Sequence, residues 1–288
     1  FLIFYGDVIF DMDIKSFIEF DSLSPSVASL VVHPNDHPHD SDLLDADDRN
    51  SVINFYPKPH STASFYRNLV NAAIYIFSPE IFQYIPGAVP SDFGKDIFPN
   101  LLKNGETIRA YKTAEYIKDI GTPGRLNRVT NDFIDGKIRR FSKKNKRPAI
   151  FIDRDGTLIK DIDLLCRVED LDLFPYSASA VRRINNSDFL CFLTTNQPVV
   201  ARNLCDIAAV KEMHKKLETL LGREGAFLND IYFCPHHPDK GFPEENSEFK
   251  VDCECRKPKT GMIEKAIAEY NIDVKSSSLG TTFILYLP

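Results

Sequence analysis

The segment DRDGTL, residues 153–158, holds two acids in a pattern that could transfer a phosphoryl group. Asp153 ends an apolar run typical of a buried strand, and Asp155 follows in a turn that Gly156 permits. Ligands of open α/β sheets bind beyond the carboxyl ends of the strands, so we expect both acids at a site. One carboxylate could attack phosphorus while the other transfers a proton at the leaving oxygen. A turn with Asx-type hydrogen bonds is the alternative.

Two more polar side chains follow along the chain. Thr195 lies in LTTNQ, at the end of the next predicted strand, where its hydroxyl could bond a phosphate oxygen. Lys257 precedes a predicted helix and could neutralise both a phosphate and an attacking carboxylate. Alone, each signal is weak, because threonines at strand ends and solvated lysines are common. With the acid pair they predict a phosphate site.

Four further side chains have the composition of a metal site. Cys234 and His236 form a C-x-H pair, and Cys253 and Cys255 form a C-x-C pair sixteen residues further on. A Cys₃His set is a usual tetrahedral zinc composition, and with all four positions filled such a zinc is structural. His237 is an alternative to His236. A redox pair is disfavoured because the spacing is not C-x-x-C, and disulfides are disfavoured in a chain that is neither small nor visibly secreted.

Strands and helices alternate along both halves of the chain, which predicts an α/β fold with two domains, each a mostly parallel sheet with flanking helices. The helix from Asp206 to Gly222 has one apolar face, and Asp13 is a candidate N-cap. In the first half we predict strands at FLIFYGD, SVASLVVHP and 71–77 and helices at DIKSFIEF and 91–105. In the second half we predict strands at 149–153, 189–196 and 230–235 and helices at 177–187, 206–222 and 262–270.

A basic segment, 136–148, is interpreted as a solvated linker between a domain at 1–135 and a domain at 149–288. A nucleic-acid-binding arm is the weaker interpretation, because the flanking domains supply no basic face. The 288 residues carry a mild net charge of −6 and no apolar run near 18 residues, so we expect neither a nucleic-acid nor a membrane partner. With no signal peptide visible, a cytoplasmic protein is expected.

The ordered segments DRDGT, TN and RKP resemble the motifs of the haloacid dehalogenase phosphatase superfamily. The resemblance implies a Rossmannoid domain, with Asp153 as the nucleophile that forms an aspartyl-phosphate and Asp155 as general acid/base. It implies Thr195 and Lys257 as phosphate binders, and Mg²⁺ held by the Asp153 carboxylate and the Asp155 backbone carbonyl. Forty-one residues between Asp153 and Thr195 leave no room for a separate cap domain.

The segments TNQPVVARN and CPHHP…CECRKPKTGM further resemble sugar-bisphosphate phosphatases that act on D-glycero-D-manno-heptose 1,7-bisphosphate. This resemblance favours His236 as the ligand of the zinc, which would hold Arg256 and Lys257 at the rim of the site. Asn196 and Arg256 join the expected phosphate- and substrate-binding residues. Two other hypotheses are kept: a histidinol-phosphate phosphatase, and an inactive zinc-stabilised binding module.

In the first half, Asp7 and Asp119 each follow a strand-like segment, and two such acids could hold Mg²⁺ against a nucleoside triphosphate. Two unrelated turns are the alternative. The segments GD, YPKPH, NLVNAAIYIF and KDIGTPGRL resemble sugar-1-phosphate nucleotidyltransferases, which have a Rossmann-like fold. The resemblance implies Asp7 and Asp119 as metal ligands, Lys58 as a contact to the sugar phosphate and Asn71 near the sugar, with a nucleoside triphosphate as partner of the complete domain.

Both ends of the chain depart from these families. The Gly-rich triphosphate loop would precede Phe1, and the tail VKSSSLGTTFILYLP lacks the acidic motif that completes a magnesium site. We therefore expect truncation at both ends, poor triphosphate binding and weakened magnesium binding, because fewer anionic oxygens remain.

Overall fold

The computed structural model describes residues 1–87, 89–239 and 245–280. The chain divides into two compact units, Phe1–Asn145 and Lys146–Pro288, and the division falls inside the segment predicted as the basic linker. Each unit combines a sheet with helices, and the predicted two-domain α/β class is confirmed. Among the described residues, no helix has both the length and the apolar character needed to cross a bilayer.

Two helices of the first unit begin at residues whose side chains cap them. Asp13 accepts a hydrogen bond from the backbone N–H of Ser16 at 3.2 Å, which confirms it as an N-cap. Thr122 caps another helix through the backbone N–H of Arg125. In chain order the elements are β1 (Leu2–Phe4), β2 (Val8–Asp11), α1 (Ile14–Leu23), β3 (Ala28–His33), β4 (Leu43–Ala46), β5 (Val52–Tyr56), β6 (Val70–Phe77), a π turn (Phe93–Ile97), α2 (Phe98–Lys103), β7 (Ile108–Lys112), β8 (Tyr116–Asp119), α3 (Pro123–Ile134) and α4 (Lys137–Arg140).

The main sheet of this unit has the order β5-β4-β6-β3-β7, with β1 also paired to β6. Only in part does it match the mostly parallel sheet predicted for this domain. β3 and β7 are parallel, but β6 pairs antiparallel with β1, β3 and β4, and β4 pairs antiparallel with β5. The correction has a physical reason: β4 and β5 are joined by the short turn 47–51, whereas parallel neighbours need a crossover of about a dozen residues or more.

This unit has a second, smaller sheet and an irregularity in its main sheet. β2 and β8 form a separate antiparallel pair in which Val8 lies opposite Asp119. In β6, Ala73 has a φ of 57°, and the pairing of β6 with β3 shifts register between Leu30 and Val32. The core beneath is aromatic, with Tyr75, Phe77 and Phe98 almost fully buried.

The second unit contains a four-stranded sheet in the order β11-β10-β9-β12, and every pairing in it is parallel. The long helix starts at Asp206, which accepts from the Ala209 N–H at 2.7 Å, and buries Met213 and Leu217 as its apolar face predicted. The elements are β9 (Ala149–Ile152), α5 (Ser177–Asn185), β10 (Leu190–Asn196), α6 (Ile207–Arg223), β11 (Asp230–Cys234), α7 (Gly261–Tyr270) and β12 (Ser278–Gly280).

The parallel direction brings three strand ends to one edge of this sheet. β9 ends next to Asp153, β10 ends at Asn196 and β11 ends at Cys234. β12 pairs with β9. It consists of the SLG of the tail segment, whose sequence lacks the acidic motif of the phosphatase superfamily. The rest of that tail, 281–288, lies outside the described residues.

Candidate functional site

The predicted acids and lysine of the second unit converge at the carboxyl edge of its sheet. The Lys257 Nζ lies 2.6 Å from the Asp153 Oδ2 and donates to the backbone carbonyl of Thr194 at 3.0 Å. Both Asp153 and Asp155 have side chains that are 28% exposed, so solutes can reach them. A carboxylate nucleophile beside an ammonium group is an arrangement that can receive a phosphate dianion.

The side-chain amide of Asn196 makes hydrogen bonds to both the N–H and the carbonyl of Lys257. Its Oδ1 accepts from the Lys257 N–H at 3.0 Å, and its Nδ2 donates to the Lys257 carbonyl at 3.1 Å. Asn196 was predicted to bind phosphate, and in this structure its amide is engaged with the chain segment that carries the lysine. It therefore fixes where the ammonium group lies.

Thr195 is fully buried, and its hydroxyl faces Asp155. The Thr195 Oγ1 donates to the Asp155 Oδ2 at 3.3 Å and accepts from the Gln197 Nε2 at 2.8 Å. In this arrangement the hydroxyl orients the second acid, and its predicted contact with phosphate stays a prediction.

Two residues of this site were missed by sequence reasoning. The Arg154 Nη2 donates to the Asp155 Oδ1 at 2.9 Å and to the Gln197 Oε1 at 2.7 Å. Arg154 is 1% exposed and Gln197 is 2% exposed. The only signal was their position, one between the two acids and the other directly after TN, and neither pattern by itself indicates burial.

The four predicted metal ligands also come together. Ligand atoms of Cys234, His236, Cys253 and Cys255 all lie within 4.8 Å of one another, and sulfur–sulfur distances run from 3.1 to 3.5 Å. A tetrahedron with Zn–S bonds of about 2.3 Å has edges of about 3.8 Å, so the cluster is close to the size a zinc ion needs. The six cysteines, all within the described residues, form no disulfide.

The surroundings of this cluster distinguish the two neighbouring histidines. His237 lies outside the cluster, with its Nε2 3.7 Å from an Asp239 carboxylate oxygen. Burial lowers the pKa of His237, and the nearby Arg256 charge adds to this. The Arg256 Nη1 donates to the His236 carbonyl at 3.2 Å. Arg256, which was predicted to contact the substrate, is thus hydrogen-bonded to a residue of the Cys/His cluster. Burial raises the pKa of the Cys234 thiol, so a metal would have to displace its proton.

The first unit contains a pocket of about 300 Å³ that brings together its four predicted residues, Asp7, Lys58, Asn71 and Asp119. A Cβ added at Gly121 would lie 3.4 Å from the Asp119 Oδ1 and 3.6 Å from the Asp7 Oδ2. The two carboxylates therefore flank one small space at the end of the β2–β8 pair. Two anionic oxygens facing one space suit a hard cation such as Mg²⁺.

The charged groups of this pocket form one connected network. The Arg125 guanidinium bridges Asp119, at 2.8 Å, and Asp40, at 2.9 Å. The Lys58 Nζ lies 3.1 Å from an Asp40 carboxylate oxygen, so Asp40 contacts both cations. The hydrogen bonds from Lys58 and Arg125 hold the pKa of the Asp40 carboxyl below its usual value. Asn71 donates to the Tyr75 hydroxyl at 2.9 Å.

Further pocket residues escaped the sequence reasoning. The Asp42 Oδ1 accepts from the Lys58 N–H at 3.0 Å. A Cβ added at Gly94 would collide with the Asp42 Oδ2, so a side chain at position 94 would displace the Asp42 carboxylate. Burial, and then the charge of Asp92, raise the pKa of Tyr5, which also lines the pocket.

Comparison with known proteins gives a match for each half of the chain. Residues 1–136 match a family model described as nucleotidyl transferase. A D-glycero-D-manno-heptose-1,7-bisphosphate 7-phosphatase of Thermosynechococcus vestitus is 38% identical over 134 residues, which are 46% of this chain and 67% of that protein. A D-glycero-alpha-D-manno-heptose-1,7-bisphosphate 7-phosphatase of Photorhabdus laumondii is 34% identical over 135 residues, 47% of this chain and 72% of that protein.

A solved structure is also similar. It is the D,D-heptose 1.7-bisphosphate phosphatase from B. bronchiseptica complexed with magnesium and phosphate, at 32% identity and a TM-score of 0.38. The match covers 44% of this chain and 65% of that one. The chain thus spans about two thirds of the length of the relatives that it matches.

Removing the amide that holds Lys257 should loosen the loop that carries it. Asn196→Ala deletes two hydrogen bonds to the Lys257 backbone, and we expect amide exchange in residues 253–259 to become about 10-fold faster, or about 1.4 kcal/mol less protected. Hydrogen exchange read by mass spectrometry measures this. Asn186→Ala, at an exposed helix end, is the matched control, and unchanged exchange in the Asn196→Ala loop would contradict the prediction.

Proposed function

Because this chain belongs to the family of the D-glycero-D-manno-heptose-1,7-bisphosphate 7-phosphatases, we propose that its second unit hydrolyses a sugar bisphosphate of this kind to the sugar 1-phosphate. The observation that carries the proposal is the 2.6 Å contact between the Lys257 ammonium and the Asp153 carboxylate, beside Asp155 at one sheet edge. The relatives favour neither a histidinol-phosphate phosphatase nor an inactive module.

The proposed reaction has two displacements at phosphorus. An oxygen of Asp153 attacks the 7-phosphate, the bond from phosphorus to the sugar oxygen breaks, and Asp155 gives that oxygen a proton. Water then attacks the aspartyl-phosphate, Asp155 takes a proton from it, and inorganic phosphate leaves with the Asp153 carboxylate restored. Lys257, with Thr195 and Arg256 as further contacts, binds the phosphate oxygens, while Asn196 keeps Lys257 in position.

The proposal includes two metal sites. The exposed Asp153 carboxylate with the Asp155 carbonyl offers hard oxygen ligands, and Mg²⁺ bound there would neutralise charge on the transferring phosphate. The Cys₃His cluster, with its reduced thiols and near-tetrahedral size, fits Zn²⁺ as a structural ion. The zinc ligands we propose are Cys234, His236, Cys253 and Cys255.

For the first unit we propose a nucleotidyltransferase-like pocket that binds the sugar 1-phosphate made by the second. Lys58 would contact the phosphate and Asn71 the sugar, while Asp7 and Asp119 would hold Mg²⁺. The match of residues 1–136 to the nucleotidyl transferase model supports this, as does the shared pocket of the four residues. In the complete domain a nucleoside triphosphate would be the second substrate.

The phosphatase proposal is tested by removing the nucleophile. In Asp153→Asn we expect release of phosphate from D-glycero-D-manno-heptose 1,7-bisphosphate with Mg²⁺ to fall by on the order of 1,000-fold or more, because the amide cannot form the acyl phosphate. Asp163→Asn, an exposed acid of the following loop, is the control. Equal release by Asp153→Asn rejects the nucleophile, and faster turnover of histidinol phosphate by the parent chain rejects the substrate.

The metal proposal predicts about one zinc per chain after purification, measured by elemental analysis. Cys253→Ser removes one thiolate ligand, and we expect zinc to be lost and thermal stability of the second unit to fall, since binding of a structural zinc contributes to folding. Cys166→Ser, which changes a cysteine outside the cluster, should retain the metal. A zinc content that is the same in both variants would be incompatible with this assignment.

The pocket proposal predicts that Lys58→Ala weakens binding of a sugar 1-phosphate by about 10-fold or more, because a charge-assisted contact is lost. Isothermal titration calorimetry with D-glycero-D-manno-heptose 1-phosphate and Mg²⁺ measures this. Lys103→Ala, an exposed lysine of α2, is the control. If the parent chain shows no saturable binding, or Lys58→Ala binds as tightly as the parent, the pocket does not have this role.

A further inference from the structure

Arg154 stands between the two acids in the sequence, and its side chain is almost wholly withdrawn from water. Its Nε is 3.2 Å from both carboxylate oxygens of Asp155, and its Nη2 is 2.9 Å from one of them. The guanidinium thus grips the carboxylate by two of its nitrogens, the geometry that makes arginine pairs specific in direction as well as strong. Asp153, the other acid, takes its cation from Lys257 instead.

The Gln197 side chain makes hydrogen bonds to both Arg154 and Asp155. Its Oε1 accepts from the Arg154 Nη2 at 2.7 Å, and its Nε2 donates to the Asp155 Oδ2 at 3.0 Å. With the Thr195 hydroxyl, every group that contacts the Asp155 carboxylate among the described residues is itself buried. The orientation of this carboxylate is therefore determined by the protein and not by solvent.

The side chain of Arg154 is not needed to form the turn. The hydrogen bonds that close the turn run from the backbone N–H groups of Thr157, Leu158 and Ile159 to the backbone carbonyl of Arg154, which any residue would supply. Burying a guanidinium is costly unless it is paired, and the Arg154 Nη1 has no hydrogen-bond partner among the described residues. An apolar side chain would fill this space without that cost.

We propose that Arg154, supported by Gln197, is a positioning residue that fixes the Asp155 carboxyl for proton transfer to the leaving sugar oxygen. This inference rests on the phosphatase function proposed above. Arg154 acts through Asp155 and needs no contact with substrate. Its contribution should therefore depend on whether the leaving group requires a proton.

The test compares two leaving groups in Arg154→Met. A sugar alkoxide needs a proton as the bond to phosphorus breaks, so we expect kcat on the heptose bisphosphate to fall about 100-fold with KM little changed. A p-nitrophenolate leaves without a proton, so kcat/KM on p-nitrophenyl phosphate, which reports only the steps up to release of the phenolate, should fall by about 3-fold at most. Arg154→Lys, which keeps the charge, should restore part of the sugar activity.

A matched control is available in the same unit. Arg167 makes the same two-nitrogen contact with Asp170, at 2.8 and 2.9 Å, but on an exposed surface. Arg167→Met should leave the rates of hydrolysis of both substrates unchanged. Equal losses of kcat/KM on the two substrates in Arg154→Met would overturn the proposal, and so would an unchanged kcat/KM on the sugar substrate.

A double variant gives the same answer on the sugar substrate alone. If Arg154 acts only through Asp155, adding Arg154→Met to Asp155→Asn should change kcat by less than about 3-fold, whereas an additive loss overturns the proposal. Should Arg154→Met not fold, Gln197→Met carries the same comparison of leaving groups. If the parent chain hydrolyses neither substrate, the proposed phosphatase function itself fails, which is distinct from failure of this inference.

Discussion

Two carboxylates two residues apart repel each other, and the site of the second unit depends on how that repulsion is balanced. Each acid has a cation of its own: Asp153 has the Lys257 ammonium and Asp155 has the Arg154 guanidinium. The two cations differ in kind. The lysine is partly exposed, whereas the arginine is buried. The proposed nucleophile thus has a cation that a solute could reach, and the proposed proton-transfer acid has one that is enclosed by the protein.

The position of Lys257 is determined both by the end of β10 and by the segment that carries Cys253 and Cys255. Cys255, two residues earlier, belongs to the metal cluster, and Asn196 binds the lysine backbone. After it, the Gly261 N–H donates to the Glu254 carbonyl at 2.9 Å, and a Cβ at Gly261 would lie 2.5 Å from that oxygen. Glycine is thus required where α7 begins. The hydrogen bond between Gly261 and Glu254 closes the segment 254–261, which contains Lys257, into a compact loop.

The parts of the structure that were predictable from sequence depend on local patterns. The acids at the end of β9, the four metal ligands and the parallel sheet of the second unit follow from apolar runs, turn residues and close spacing. Arg154 was not predictable because its burial depends on Gln197, a partner 43 residues away. β4 and β5 run antiparallel because the connection between them is short. Their sequences, LLDA and VINFY, show no clear alternation of apolar and polar residues that would have predicted two strands here. Non-local partners and connection lengths are what the pattern of one segment does not contain.

Gln197 also connects the acid site to the metal cluster. Its backbone N–H donates to the carbonyl of Cys234 at 2.7 Å, while its side chain contacts both Arg154 and Asp155. The Cys/His cluster is therefore connected to the acid site at two points. The Cys234 carbonyl accepts from Gln197, which contacts Asp155, and the segment after Cys255 is bound by Asn196 at Lys257. A metal bound to this cluster would require the folded arrangement, so its binding free energy would favour both contacts at once. Metal binding at the proposed structural site would in this way stabilise the positions of both Asp153 and Asp155.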